Sequence, residues 1–342
     1  MKHQLNTLFI STQGAWLSQE GENIVVHLDR ETSKPFPIHL FESVVCFGRV
    51  SATAPLMGFC AQRNVPISFF SEHGRFLARV DGPIRGNVLL RRQQYRLADD
   101  AEATSGIARS VLIGKIANSR SVLMRAAREN DGEANPILTS AAKYLGGTVQ
   151  DLKKPLSLET LRGKEGDAAR CYFDAFDHLI LAQKEHFRFT GRNRRPPMDK
   201  VNALLSFVYT LLTHDVMSAL EGVGLDPAVG YLHRERPGRP SLALDLMEEF
   251  RSWLADRLIL SLINLKQIRP EGFTQSESGA VTMDETTRKI VLETWQARKQ
   301  NELTHPYTEE KIAIGLLPHV QARLMARFIR GELESYPPFV WK

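Results

Sequence analysis

The sequence predicts an α+β chain. A small N-terminal β-rich domain, residues 1–85, precedes a larger all-α domain, residues 98–342, with a joining helix at 86–97. Three observations predict it. As far as Val80, apolar residues fall in short β-branched and aromatic runs separated by turn residues. Beyond Pro83 they recur at three- and four-residue intervals over long stretches with few turn residues. The length of 342 residues, with 43% hydrophobic and 24% charged content, is ordinary globular usage and enough for two domains.

The elements follow in order. Strands are expected at 7–12, 23–28, 37–47, 66–70 and 76–80, with one short helix at 52–64. Helical spacing then runs over 87–97, 107–129, 160–183, 199–221, 241–268, 284–300 and 308–336, the last interrupted by Pro318. Asp199 and Ser241 are placed as N-caps, Ser241 directly after Pro240. Pro337 and Pro338 forbid helix at the end of the chain. Residues 336–341 therefore read as an extended aromatic segment that either docks on a partner or folds back.

A net charge of +5 leans mildly toward a polyanionic partner. Cys46, Cys60 and Cys171 stand far apart without a CxxC pair, which excludes a disulfide framework and a cysteine-rich zinc site. A reducing cytoplasm is the expected location. The first residues carry no signal-peptide pattern, and no run reaches the roughly 18 apolar residues of a membrane span, so no membrane association is expected. P-loop, GxGxxG, HExxH and GxSxG motifs are all missing, which argues against nucleotide hydrolysis, hydride transfer and a serine elbow. Oxygen and imidazole chemistry remains.

Three segments carry that chemistry. In the first, Glu165 shares a helical face with Ala169, Tyr172 and Phe176. It reads either as a surface glutamate paired with a neighbouring arginine or as a site carboxylate. In the second, Gly222, Gly224, Asp226-Pro227 and Gly230 build a tight loop that delivers His233, either a structural histidine or an imidazole ligand. In the third, Asp245 and Glu248 lie three apart on one face of an otherwise apolar helix. Glu249, about 100° further round, is expected to be exposed or paired with Arg251 or Arg257. Two carboxylates and an imidazole suit Mg²⁺ or Mn²⁺ more than structural zinc. Such an ion beside a phosphate means phosphodiester chemistry.

The segments EGDAARCYF (165–173), NALLSFVYTLL (202–212), GLDPAVGYLH (224–233) and SLALDLMEEFR (241–251), in this order, closely resemble the CRISPR-associated spacer-acquisition integrase family, the first of the core Cas proteins. The resemblance spans essentially the whole chain and is closest to members from type I systems. It implies that the family's metal-binding glutamate, histidine and second acidic residue fall on Glu165, His233 and Glu248. Asp245 then assists beside them or serves as an alternate ligand, and all four are catalytic. It further implies a Mg²⁺- or Mn²⁺-dependent DNA integrase and endonuclease of antiviral defence. Such an enzyme joins the 3′-hydroxyls of short duplex DNA to the CRISPR repeat by transesterification. The implied partners are double-stranded DNA, a second copy in a homodimer, and the small second core Cas protein in a heterohexamer. The alternatives are a non-catalytic DNA-binding assembly subunit of the same fold and a hydrolase of small phosphorylated substrates.

Basic residues cluster in three places. Arg85, Arg91 and Arg92 lie by the joining helix, and Arg188, Arg192, Arg194 and Arg195 crowd one loop between two of the motifs. Both groups are expected to contact DNA phosphates. Lys115, Arg120, Arg125 and Arg128 are expected to form a solvated helix face.

Overall fold

In the computed structural model, the described residues are 6–29, 31–72, 74, 76–82, 88–129, 132 and 134–341. The chain divides into two compact units, residues 1–85 with 282–301 and residues 86–281 with 302–342.

The first unit holds β1 (Asn6–Ile10), β2 (Trp16–Glu20), β3 (Asn23–His27), β4 (Ser33–Pro37), β5 (Phe41–Phe47), β6 (Ser51–Ala52), α1 (Ala54–Gln62), β7 (Ile67–Phe70) and β8 (Phe76–Val80). They form two four-stranded sheets, ordered β1-β5-β7-β8 and β4-β3-β2-β6. β5 pairs in parallel with β1 and β7, while β8 runs antiparallel to β7. Ile10, Val44 and Ile67 from one sheet, Leu17 and Ile24 from the other, and Leu56 of α1 share one buried cluster. β3 and β5 follow their apolar patterns, which place side chains on the buried faces. β2 and β4 have no counterpart among the expected strands. β2 (WLSQE) is short and largely polar, and β4 carries Pro35 and Pro37, which are tolerated because β4 is an edge strand.

The helix Glu285–Gln300 also belongs to this unit, although periodicity assigns it to the helical domain. Asp284 caps it by accepting the Thr287 N–H at 2.7 Å. Val291 and Trp295 are buried, and buried Arg288 donates to the Glu72 carbonyl. An apolar stripe announces a helix but does not name the surface it packs on.

The second unit contains α2 (Val88–Asp99), α3 (Ala101–Arg128), α4 (Ala134–Asp151), α5 (Leu158–Asp174), α6 (Lys200–Gly222), α7 (Ser241–Met247), α8 (Arg257–Asn264) and α10 (Leu317–Ile329), with α9 denoting the Glu285–Gln300 helix. α4 is additional to the expected helices, since Pro136, Gly146 and Gly147 weaken its pattern. α3 packs on α4 and α5, and α6 packs on α7 and α10. α6 is long and apolar enough to cross a membrane, but Leu204, Leu205, Val208, Leu212 and Val216 are buried in the protein, as befits a core helix. Asp199 caps it through the Asn202 N–H at 2.7 Å, whereas Ser241 is the first helical residue of α7 and makes no cap hydrogen bond.

Three expected helices are shorter than their apolar spacing suggests. The 160–183 stretch ends as α5 at Asp174. The 241–268 stretch breaks after Met247, resumes as a π-helical turn over Arg251–Asp256 and finishes as α8. In the 308–336 stretch, Lys311–Ala313 pairs as a strand with Glu302–Thr304, and Pro318 sits in the first turn of α10, where its missing N–H costs nothing. The terminal segment folds back on its own unit. Tyr336 and Phe339 are buried, and Asn118 brackets the segment, donating to the Phe339 carbonyl at 2.9 Å and accepting the Trp341 N–H at 2.7 Å. Gly114 makes room, because a Cβ there would lie 3.0 Å from Pro338 Cβ.

Candidate active site

The site is assembled in the second unit from α3, α5, α7 and the loop after α6. That loop is pinned along its length. Gln94 donates to the carbonyls of Asp226 and Val229 at 2.8 and 2.9 Å, Arg91 donates to Gly224 at 3.2 Å, and Arg162 of α5 donates to Leu232 at 2.9 Å. Asp245 then takes the backbone N–H groups of Tyr231, Leu232 and His233 at 2.6, 3.0 and 2.9 Å. Gly230 permits this approach, since a Cβ there would stand 2.8 Å from Asp245 Oδ2. The same carboxylate receives the His233 Nδ1–H at 2.6 Å.

The consequence is a fixed imidazole. With Nδ1 committed to Asp245, His233 turns Nε2 toward Glu248, 3.7 Å from Oε1. Asp245 has both oxygens occupied by the loop and the ring, an arrangement that orients His233.

Glu248, just past the end of α7, is buried with 1% of its side chain exposed. Burial alone would raise its pKa. Arg251 at 2.6 Å, Lys115 at 3.0 Å and His233 outweigh that and hold it down at about 2. Its Oε2 lies against the Lys115 ammonium at 3.0 Å. The same Lys115 Nζ donates to Glu165 on α5. Glu165, His233 and Glu248 are therefore neighbours, with Lys115 between the two glutamates. Among the described residues no three such side chains converge closely enough to cage an ion as they stand. The donors nevertheless fit a hard divalent cation: one oriented imidazole nitrogen and two carboxylates, Glu248 and Glu165, that already face a positive charge.

A second buried acid backs the site. Asp256, at the end of the π-helical turn, accepts from the hydroxyls of Tyr172 at 3.0 Å and Tyr209 at 2.7 Å. Burial pushes it up to about 6, against those hydrogen bonds and the nearby Arg251 and Arg192. The Arg251 guanidinium lies 5.0 Å from the Tyr209 ring centre, linking this acid to Glu248.

The basic residues divide. Arg85 lies outside the described residues. Arg92, Arg188, Arg194 and Arg195 are exposed, as phosphate contacts must be. Arg91 holds the Gly224 loop. Arg192 departs from the expectation. It turns inward to donate to Asn202 Oδ1 and the Asn193 carbonyl at 2.6 Å, and covers the Tyr209 ring at 5.3 Å, so it braces its loop. Asn202 closes the same brace by donating to the Gly191 carbonyl at 2.8 Å.

Several residues escape a reading of the sequence. Lys115, expected on a solvated face, has only 12% of its side chain exposed. The signal is present: Val111, Ser119 and Val122, at spacings of four and seven from it, are all buried, which places Lys115 on the inner stripe of α3. Glu249 is not exposed or paired with an arginine. It is fully buried, accepting from Tyr336 at 2.7 Å, Gln321 at 2.8 Å and the Phe339 N–H at 2.7 Å. The 234–239 loop adds Arg234, Arg236 and Arg239 beside His233, and Arg239 feels the charges of Arg236, Arg194 and Arg195.

Comparison with known proteins bears on this constellation. The family described as CRISPR associated protein Cas1 matches residues 8–297. A protein of Chlorobaculum tepidum named CRISPR-associated endonuclease Cas1 1 is 53% identical, covering 100% of both chains. A casposase bound to integration product shares the fold, with a TM-score of 0.84 at 20% identity over 98% of this chain and 94% of that one. So does a chain of a Cas6-RT-Cas1–Cas2 complex, with a TM-score of 0.82 at 22% identity over 99% of this chain and 36% of that one.

Proposed function

Because the chain belongs to the CRISPR-associated Cas1 family, we propose that it is a divalent-metal-dependent DNA integrase and endonuclease of CRISPR adaptation. It joins the 3′-hydroxyl ends of short duplex DNA to the CRISPR repeat. In each joining the terminal 3′-oxygen bonds to a repeat phosphorus, the repeat 3′-oxygen leaves, and the number of phosphodiester bonds is unchanged. The observation that carries the reading is the His233 imidazole, clamped by Asp245 at 2.6 Å so that Nε2 faces the ionised, buried Glu248, with Glu165 one lysine away.

In this reading Glu165, His233 and Glu248 would hold Mg²⁺ or Mn²⁺, which would supply positive charge to stabilise the reacting phosphate. The chain's own residues do the rest. Asp245 keeps the ring proton on Nδ1 and the ring in place. Arg251 pairs with Glu248 and favours its ionised form. Arg92, Arg188, Arg194 and Arg195, joined by Arg236, hold the DNA backbone and so fix the reacting phosphate in position. Double-stranded DNA and Cas2 are the proposed partners, the latter as in the complex for which the solved neighbour is named. A homodimer within a heterohexamer is the proposed assembly, and the cytoplasm its location.

The test is strand transfer into a repeat-bearing supercoiled plasmid, with Cas2 and Mn²⁺ or Mg²⁺. Glu165→Ala and His233→Ala should each lower joining by at least about a hundredfold while leaving far-UV circular dichroism and DNA binding unchanged. Undiminished joining in both variants would reject the site, whereas no joining by the wild type together with no divalent-ion binding would leave a non-catalytic assembly subunit as the reading.

A further inference from the structure

We propose that Lys115 is a positioning residue whose ammonium is a displaceable resident cation, holding Glu165 and Glu248 together until a divalent ion takes its place. The inference rests on the metal-site reading above and goes beyond it by assigning a competitor built into the chain.

Four observations carry it. Lys115 Nζ touches both carboxylates at once, donating to Glu165 Oε1 and standing 3.0 Å from Glu248 Oε2. The contact with Glu248 is that of an ammonium with a carboxylate oxygen, a pairing that another cation can replace. Glu248 does not need Lys115 for its own neutrality, because Arg251 already pairs with Oε1 at 2.6 Å. What Lys115 does uniquely is bridge two like charges from different helices, α5 and the end of α7. Finally, Glu165 is 31% exposed against 12% for Lys115, so the mouth of the site opens on the Glu165 side and gives the lysine a way out.

The residue type suits the task. A lysine is a point charge on a flexible four-carbon stem, so its head can withdraw by rotation while its backbone stays in the helix. An arginine fork bound to the same carboxylates would be harder to dislodge. A divalent cation between Glu165 and Glu248 would stand beside the ammonium with like charge, so the two cannot share the place. The free energy of ion binding is therefore reduced by whatever the lysine contributed, and a weakly held monovalent ion cannot enter at all. The two carboxylates stay assembled, without the repulsion that would otherwise part them before the ion arrives.

The experiment is calorimetric titration of MnCl₂ into chelator-stripped protein, with melting temperatures read in EDTA and in saturating Mn²⁺. Lys115→Met should bind Mn²⁺ about tenfold or more tightly than wild type, with the gain retained in 0.5 M salt, since direct competition is not screened as remote charge is. It should melt below wild type in EDTA and at or above it in saturating Mn²⁺. Lys115→Arg, which keeps a cation in place and guards against a Met variant that does not fold, should bind no more tightly than wild type. Wild-type affinity in a folded Lys115→Met, or tighter binding by Lys115→Arg, overturns the role of Lys115 and leaves the metal site standing. No heat from wild type or either variant overturns both.

Discussion

Asp245 illustrates how one buried side chain can set the chemistry of another. It is 1% exposed, and its two oxygens take three backbone N–H groups and the Nδ1 proton of His233. An amide at this position has one accepting end instead of two, and it turns an NH₂ toward donors that need an acceptor. Asp245→Asn should therefore cost about 1–3 kcal/mol in urea unfolding. It should also lower strand transfer by about 10- to 100-fold, because the ring loses the partner that fixes its tautomer. A variant that is destabilised yet fully active would mean that His233 is oriented by something else. At this scale the sequence is informative in part. Three of the four motifs carry Glu165, His233, Asp245 and Glu248, which the fold brings together around Lys115 and the His233 ring. Lys115 and Arg192 are misread for a common reason: a cationic side chain looks solvated until the partner that draws it inward is known, and that partner lies 50 residues away for Lys115.

The element that organises the back of the site is the π-helical turn Arg251–Asp256. Such a turn inserts one residue into the helical register, and here its two ends are Arg251 on Glu248 and Asp256 on the two tyrosines. Apolar spacing over 241–268 announces helix but not the break after Met247 or the widened turn, because Leu, Met, Phe and Trp suit either geometry. The neighbouring Glu249 ties the terminal segment to this region. Burial pushes it from an ordinary 4.5 up to about 8, against the donors Phe339, Tyr336 and Gln321. The unfolded chain ionises it near 4.5. Its contribution to stability is thus fully present below that pH and is lost as pH rises through about 8. Glu249→Gln removes the titration while keeping a group that can accept from Phe339 and donate to the Tyr336 oxygen. Urea unfolding at pH 5.5, 7 and 8.5 should show the variant gaining on wild type by a few kcal/mol across the series. Parallel curves would show that Glu249 stays ionised in the folded protein.

For the molecule as a whole, a net charge of +5 on 342 residues says little about a polyanion. Placement says more. Exposed Arg194 and Arg195 converge electrostatically with Arg236 and Arg239 of the loop that carries His233, and Arg188 is exposed on the same arginine-rich loop, whereas Arg192 is spent on Asn202 and Tyr209. Replacing Arg188, Arg194 and Arg195 with alanine should lower DNA affinity and reduce the slope of log affinity against log salt by about 0.9 for each phosphate no longer neutralised. Arg192→Ala should instead act on folding, with the slope nearly unchanged. A slope that fails to move in the triple variant would place the DNA elsewhere. The division into a β-rich beginning and a helical remainder is legible, since the periodicity changes from two to 3.6 residues after Val80. The membership of α9 is not, because packing partners are a property of the assembled chain.

That late helix also reverses the usual order of birth. Domains ordinarily fold as they emerge from the ribosome, beginning with the first synthesised. Here the β-rich unit includes residues 282–301, so its strands leave the exit tunnel well before the helix that packs with them. A nascent chain stalled at residue 280 would therefore hold most of the helices that carry the candidate site while its oldest segment still lacks α9.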